Sequence, residues 1–231
     1  MARPQPKLAG IQDDVVGCRV CPRLVAHREE VATRKTKRFA DQAYWCRPVP
    51  SFGDPNGRLL IVGLAPAAHG GNRTGRMFTG DRSGDWLFEA MHRHGFANQS
   101  ESSARGDGLE LIGAYITAIV RCAPPGNKPT RTEIVACRSY LVRELTALRN
   151  LRAVIALGHV AFDGLLAAWA EAGGNVGRPK PKFSHGAAVE LSANLHLLAS
   201  YHPSQQNTFT GRLTRPMLHA VFHQARQLIE T

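Results

Sequence analysis

The stretch LLIVGLAPAAHGGNRTGRMFTGDRSGDWLFEAMHRHG, residues 59–95, decides the fold. It opens on the apolar run LLIV (59–62), which reads as a buried strand. It closes on GDWLFEAMHRHG (84–95), where Trp86, Leu87, Ala90 and Met91 fall on one face of a helix. Between the two, residues 63–84 hold six glycines, three arginines and one aspartate. Glycine-rich turns behind a strand bring backbone N–H groups close to a ligand. Neither common phosphate-binding pattern fits, however. No glycine is followed by Lys-Ser or Lys-Thr, which excludes a P-loop. Pro66 stiffens the turn where the G-x-G-x-x-G dinucleotide fingerprint needs flexible backbone.

Outward from this stretch the alternation continues. AYITAIV (114–120), AVIALG (153–158) and LHLLASYH (195–202) predict three more strands. Residues 131–150, 159–173 and 212–230 predict helices, the last accommodating Pro216 in its first turns. Strand–helix alternation with short apolar strands predicts an α/β protein, a parallel sheet between helices. Three segments stay outside the pattern. RKTKR (34–38) reads as a solvated basic turn, 97–110 as a polar loop, and GGNVGRPKPKFSHG (173–186) as a disordered excursion or a short hairpin. In open parallel sheets ligands gather beyond the carboxyl ends of the strands. The loops 63–84, RCAPPGNKPT (121–130) and HPSQQNTFTG (202–211) all lie there and are expected to converge on one site.

At 231 residues the chain is expected to form a single domain over 1–231. Its 29 Lys+Arg against 18 Asp+Glu give a net charge of +11, which favours a polyanionic partner, nucleic acid before an anionic membrane. No apolar run reaches membrane-spanning length, and MARPQPKLAG carries no signal-peptide core, so a cytoplasmic protein is expected. In a reducing compartment five cysteines point to metal binding or plain burial before disulfides. Cys18 and Cys21 form a C-x2-C pair; Cys122 ends the second strand and Cys137 lies in the helix after it. Four thiolates hold tetrahedral zinc or a [4Fe–4S] cluster, and the lack of a second close pair leans toward the cluster. Its role would be structural, fastening the N-terminal segment to the sheet edge. Cys46 is left over.

Three motifs together, GLAPAAHGGNRTGRMFTGDRSG (63–84), RCAPPGNKPTRTE (121–133) and HPSQQNTFTGRL (202–213), resemble the uracil-DNA glycosylase superfamily. With four cysteines in order, the likeness is to family 5, the iron–sulfur type B enzymes, over residues 11–228. The resemblance implies a three-layer αβα sandwich with a short, mostly parallel four-stranded central sheet. It implies hydrolysis of the N-glycosidic bond of a deaminated base in DNA, by a monomer, with a structural [4Fe–4S] cluster on Cys18, Cys21, Cys122 and Cys137. The glycine-rich loop would then wall a pocket for a base rotated out of the duplex.

The resemblance also distributes roles. Phe78 stacks on the flipped base, although read alone it is a core phenylalanine. Asp81 orients the attacking water and balances the sugar cation; read alone it is a turn or N-cap aspartate. His202 donates a hydrogen bond to the departing base. Asn127 reads the base edge or holds water, and is equally a turn residue beside Gly126. His69 and the backbone at Ala67 and Ala68 line the base site. Gln205, Gln206 and Asn207 enter the minor groove, and Arg73, Arg76, Arg82, Lys128 and Arg212 face phosphates. Two departures stand out: Ala65 and Ala118 occupy positions where relatives carry an acidic or amide residue. Ala67 is small where strict uracil enzymes are bulky, which predicts a roomier pocket accepting hypoxanthine as well. Competing readings are a lesion-recognising DNA-binding module and an iron–sulfur redox protein.

Overall fold

The computed structural model describes residues 8–230; residues 1–7, on which the expectation of no signal-peptide core partly rests, and residue 231 lie outside it. Two helices come first, α1 (Leu8–Gly17) and α2 (Pro22–Arg34). Then follow β1 (Phe52–Gly53), β2 (Leu59–Gly63), the short α3 (Gly71–Thr74) and α4 (Arg82–Arg93). β3 (Ala114–Ala118), α5 (Arg131–Ala147), β4 (Ala153–Leu157) and α6 (His159–Glu171) form the middle. The chain ends on β5 (Ala188–Ser192), β6 (Leu195–Ser200), α7 (Gln205–Phe209) and α8 (Arg215–Glu230).

One sheet runs in the order β1-β3-β2-β4-β6-β5. Its centre is the four expected strands, paired in parallel as β3 with β2, β2 with β4 and β4 with β6. β2, β3 and β4 are buried at every position, which is why their sequences are continuously apolar. Two short antiparallel edges extend the expected four strands to six. β1 is two residues long, too short for any periodicity, and β5 exposes most of its residues in a hairpin with β6. The Gly/Pro stretch 173–186 is the loop that leads into that hairpin.

Side-chain alternation along the strands sorts the core into two faces. Leu59, Ile61, Ile116 and Ile155 pack with Leu87, Phe88 and Met91 of α4 and Leu218, Val221 and Phe222 of α8. Leu60, Val62, Val154 and Leu197 pack with Leu141 and Leu145 of α5, Phe162 and Leu165 of α6 and Leu24 of α2. The result is the αβα sandwich. Phe162 and Phe222 are fully buried on opposite faces, and truncating either to alanine costs about 3–5 kcal/mol. Among the described residues no helix is long and apolar enough to cross a membrane.

The carboxyl end of β3 is pinned by a buried polar knot. Arg121 Nη2 meets Glu144 Oε2 at 2.6 Å, and Thr117 Oγ1 and Ser51 Oγ donate to the same carboxylate at 2.7 and 2.6 Å. Gln12 of α1 donates to it as well, at 3.0 Å. Every carboxylate lone pair is thus used, which is what lets Glu144 and Arg121 sit inside the protein. The knot fixes where the 121–130 loop leaves the sheet.

Candidate active site

All parallel strands end on the same side, and the three loops expected to converge do so. Ala67, Ala68, His69, Gly70, Arg73, Gly80, Asp81 and Arg82 from the first, Asn127 from the second and Gln205 from the third line one open cleft of about 1080 Å³. The glycines make this possible by close approach. A methyl on Gly63 would stand 2.7 Å from Phe78 Cζ, and one on Gly70 would collide with the Asp81 carboxylate.

Asp81 caps α4: its backbone is extended and Oδ1 accepts the Gly84 N–H at 3.1 Å. The capping reading therefore holds, and the same residue lines the cleft. Burial pushes its carboxyl above the ordinary aspartate range, while the Gly84 and Ser83 N–H groups act in the opposite sense. Phe78, 9% exposed, takes a positive φ of 55° and sits in the core face of α4 and α8. Its ring stacks on His202, with centroids 6.0 Å apart. Burial pushes the His202 imidazole down to about 4, so at neutral pH it is uncharged and keeps one N–H to donate. Asn207 Nδ2 donates to the His202 carbonyl at 2.8 Å, and this bond sets the strand-to-α7 corner. Phe78 and His202 lie together beside the cleft rather than on its open wall.

Asn127 is exposed on that wall, in a 3₁₀ turn (Pro125–Asn127), with φ 56°. Asparagine tolerates this left-handed geometry better than most residues. His69 Nδ1 shares a 3.0 Å hydrogen bond with Tyr44 Oη, which fixes the ring. Ala118 closes the buried end of β3 beside Gly63, and Ala65 is partly buried against the opposite core face.

The arginines divide into two groups. Arg76 is turned inward: it pairs with Asp107 at 2.7 Å and donates to Ser102, Thr79 and the Arg105 carbonyl. Arg73 lines the cleft, yet its donors go to the His69 and Gly80 carbonyls and to Gln42, with Phe39 4.0 Å beneath the guanidinium. Both brace the loop. Arg82 and Arg212 are exposed, stacked 4.5 Å over Phe209 and 4.6 Å over Tyr201. Lys128 is exposed just outside the cleft, and Gln206 is exposed on α7. The structure adds Arg38, Phe39, Gln42 and Arg215 to the cleft wall. The basic run 34–38 was the only sequence signal for any of these.

Cys18, Cys21, Cys122 and Cys137 come from four separate positions: after α1, the N-cap of α2, after β3, and within α5. They line one small cavity of about 20 Å³, with Leu24, Val120 and Arg28. Cys46 is not part of it. Burial pushes the Cys122 and Cys21 thiols up, and Cys137 to about 12. Among the described residues no three His, Cys, Asp or Glu side chains are grouped so as to hold a single metal ion. Arg28, 2% exposed, donates to Cys122 Sγ at 3.0 Å and to the Cys18 carbonyl at 3.4 Å. Four sulfurs around one void, with a buried cation against them, are a donor set suited to an anionic iron–sulfur group.

The family model of the Uracil DNA glycosylase superfamily matches residues 50–226 of this chain. A Type-5 uracil-DNA glycosylase of Mycobacterium bovis is 54% identical over 212 residues, covering 91% of this chain and 78% of its own. The Type-5 uracil-DNA glycosylase of Thermus thermophilus is 50% identical over 214 residues, 93% and 94% of the two chains. That of Pyrobaculum aerophilum is 47% identical over 211 residues, 91% and 88%. The αβα sandwich, the cleft at the carboxyl ends of its strands and these likenesses agree: the chain belongs to the uracil-DNA glycosylase superfamily, in its type-5 branch.

Proposed function

We propose that the cleft receives a base rotated out of duplex DNA and hydrolyses its N-glycosyl bond, with uracil and larger deaminated bases such as hypoxanthine as substrates. Membership of the superfamily makes the chain a uracil-DNA glycosylase, a hydrolase acting on N-glycosyl bonds. The observation that carries the residue-level reading is Asp81, a carboxylate presented to the cleft from the N-terminus of α4. Cleavage develops positive charge on the sugar and negative charge on the base. Asp81 faces the sugar, where its raised basicity suits it to orient a water and its charge offsets the cation. Its N-cap bonds keep the carboxylate from rotating away. Asn127, on the same wall, holds the base edge. His202 donates from its neutral ring to the departing base oxygen, and a neutral donor keeps this role over the whole range above about pH 4. The resemblance assigns the stacking surface to Phe78, whose ring in the free protein packs on His202 just behind the cleft wall.

Breadth follows from size. Ala67 and Ala68 leave the wall of an already wide cleft without bulk, so a purine is not excluded by shape. Arg82, Arg212 and Lys128 meet the phosphates, and Gln205, Gln206 and Asn207 enter the minor groove. In the same reading the enzyme works as a monomer on double-stranded DNA in the cytoplasm. Cys18, Cys21, Cys122 and Cys137 hold a [4Fe–4S] cluster. When bound, that group supplies a structural tie and takes no part in base release.

The test uses matched duplexes carrying one uracil or one hypoxanthine, developed with alkali. Strand breaks that need alkali report base release without lyase action. Asp81→Asn is expected to lower release about 10²–10⁴-fold with DNA binding kept. Asparagine caps a helix as well as aspartate, and a buried charge is removed, so the thermal midpoint stays level or rises. Intact strands with binding preserved would favour a lesion-recognition module instead.

A further inference from the structure

We infer that Arg28 is the charge-balancing residue of the cysteine cavity, placed to offset the negative charge of an iron–sulfur cluster. The inference rests on the cluster reading above, and three observations on this side chain carry it. First, Arg28 is among the largest fully buried side chains of the protein. Second, among the described residues no carboxylate pairs with it. Arg121 and Arg76, also buried, each hold one, at 2.6 and 2.7 Å. Arg73 lacks one but opens on the cleft. Glu29, the next residue, is taken by Arg19 at 2.6 Å. Third, the guanidinium is under-bonded: Nε has no partner, Nη1 and Nη2 reach the Cys18 carbonyl only at 3.4 Å, and the one close contact is Cys122 Sγ at 3.0 Å.

A buried cation without a counter-charge is unfavourable and persists only where something compensates it. Four neutral thiols do not. An iron–sulfur cluster on four thiolates is a net anion, and N–H donation to a ligating sulfur is a recognised means of stabilising one. The cavity thus contains the counter-ion before the ion. The position also reaches the cleft: the Arg28 carbonyl accepts from Asn72 Nδ2 at 3.2 Å, and Asn72 lies in α3 of the glycine-rich loop.

The sign of the stability change separates this role from ordinary packing. Full-length wild type, Arg28→Met and Arg28→Lys are reconstituted with ferrous iron and sulfide without oxygen. Iron per chain, the rate of iron loss to a chelator, and thermal midpoints with and without iron are then measured. Arg28→Met is expected to lose iron at least ten-fold faster, by roughly the amount a ligand-supporting residue contributes. Stripped of iron, the same variant is expected to melt about 5 °C higher than stripped wild type, because an unpaired buried charge has gone. Arg28→Lys, which keeps the charge, stays nearer wild type in iron retention. Should Arg28→Met not fold, the lysine variant decides: iron loss as slow as wild type supports the charge role, and loss of all iron overturns it. Wild-type iron retention in Arg28→Met, or a lower midpoint of that variant without iron, also overturns it. A wild-type chain that takes up no iron would instead sink the cluster reading itself.

Discussion

Replacing Gly70 with alanine displaces the Asp81 carboxylate without altering Asp81. A methyl group at Gly70 stands 2.9 Å from both Cβ and Cγ of Asp81 and nearer still to Oδ2. Comfortable carbon–carbon contact begins near 3.5 Å, so the side chain has to retreat by roughly 0.5–1 Å. Asp81 has little room to do so while keeping its 3.1 Å bond to the Gly84 N–H. Losing that cap costs about 1 kcal/mol of stability, or about 2–4 °C in a domain of this size. A misplacement of about 1 Å in a catalytic group costs about 10²-fold in rate. Arg82 and Arg212, the exposed phosphate candidates, are not among the atoms that a methyl at Gly70 meets. Gly70→Ala is therefore expected to release uracil about 100-fold more slowly in a single turnover with enzyme in excess. Binding to a duplex holding an uncleavable uracil analogue should stay near wild type. Release at the wild-type rate from a folded variant would refute the reasoning, because Asp81 would then be tolerating displacement that no water-orienting carboxylate can. A parallel loss of rate and binding would mean the loop had collapsed.

Three further outcomes follow from the same geometry. Burial holds His202 near 4 in the fold while it titrates in the ordinary histidine range when unfolded, so the unfolded chain binds the extra proton between the two values. Stability is full above the unfolded value and falls as pH drops toward 4, by at most about 3 kcal/mol; urea unfolding at about pH 5 and about pH 7 should show this slope, and His202→Asn should flatten it. Breaking the buried Arg76–Asp107 pair with Asp107→Ala should cost about 3–5 kcal/mol in denaturant unfolding yet leave the salt dependence of DNA binding unchanged; Arg82→Ala should instead lower the magnitude of the log–log salt slope by about 1 at nearly constant stability. Ala67→Tyr should reduce hypoxanthine release about ten-fold or more relative to uracil release on otherwise identical duplexes. Equal loss on both bases would show that this wall does not set the range.

What was legible in the sequence is what local pattern determines. The four parallel strands are continuous apolar runs because both faces of the sheet are covered, and the three cleft loops could be placed because parallel strands share a carboxyl end. Asp81 could be singled out as the lone carboxylate of its motif. The rest depends on contacts between distant residues. Arg76 looked like a phosphate ligand because its partner Asp107 lies 31 residues on, in a polar loop with no pattern of its own. Arg38, Phe39 and Gln42 reach the cleft only because Arg73 stacks on Phe39 and bonds Gln42. β1 and the exposed β5 leave no periodicity to read. α1 and α2 were missed because their burial is sparse: α2, thirteen residues long, buries only Leu24 and Arg28.

That sparse burial bears on how the cleft is held. Two of its three loops lean on α2. Arg23 binds Glu133 through two bonds of 2.8 and 2.7 Å and the Lys128 carbonyl at 3.1 Å, beside Asn127. Glu133 in turn closes the capping box with Thr130 that starts α5. The Arg28 carbonyl takes the Asn72 side chain of the glycine-rich loop. A helix that anchors the cleft loops needs an anchorage of its own, and one leucine buries too little apolar surface to supply it, on the order of 1.5–3 kcal/mol. What remains at its N-terminus is Cys21, facing Cys18, Cys122 and Cys137 across one cavity. Covalent bonds from those sulfurs to a shared cluster would join α2 to β3 and α5 with the strength its packing lacks. If the cluster reading holds, its contribution is positional: losing it would loosen the loops that carry Asn127 and Asp81 through α2.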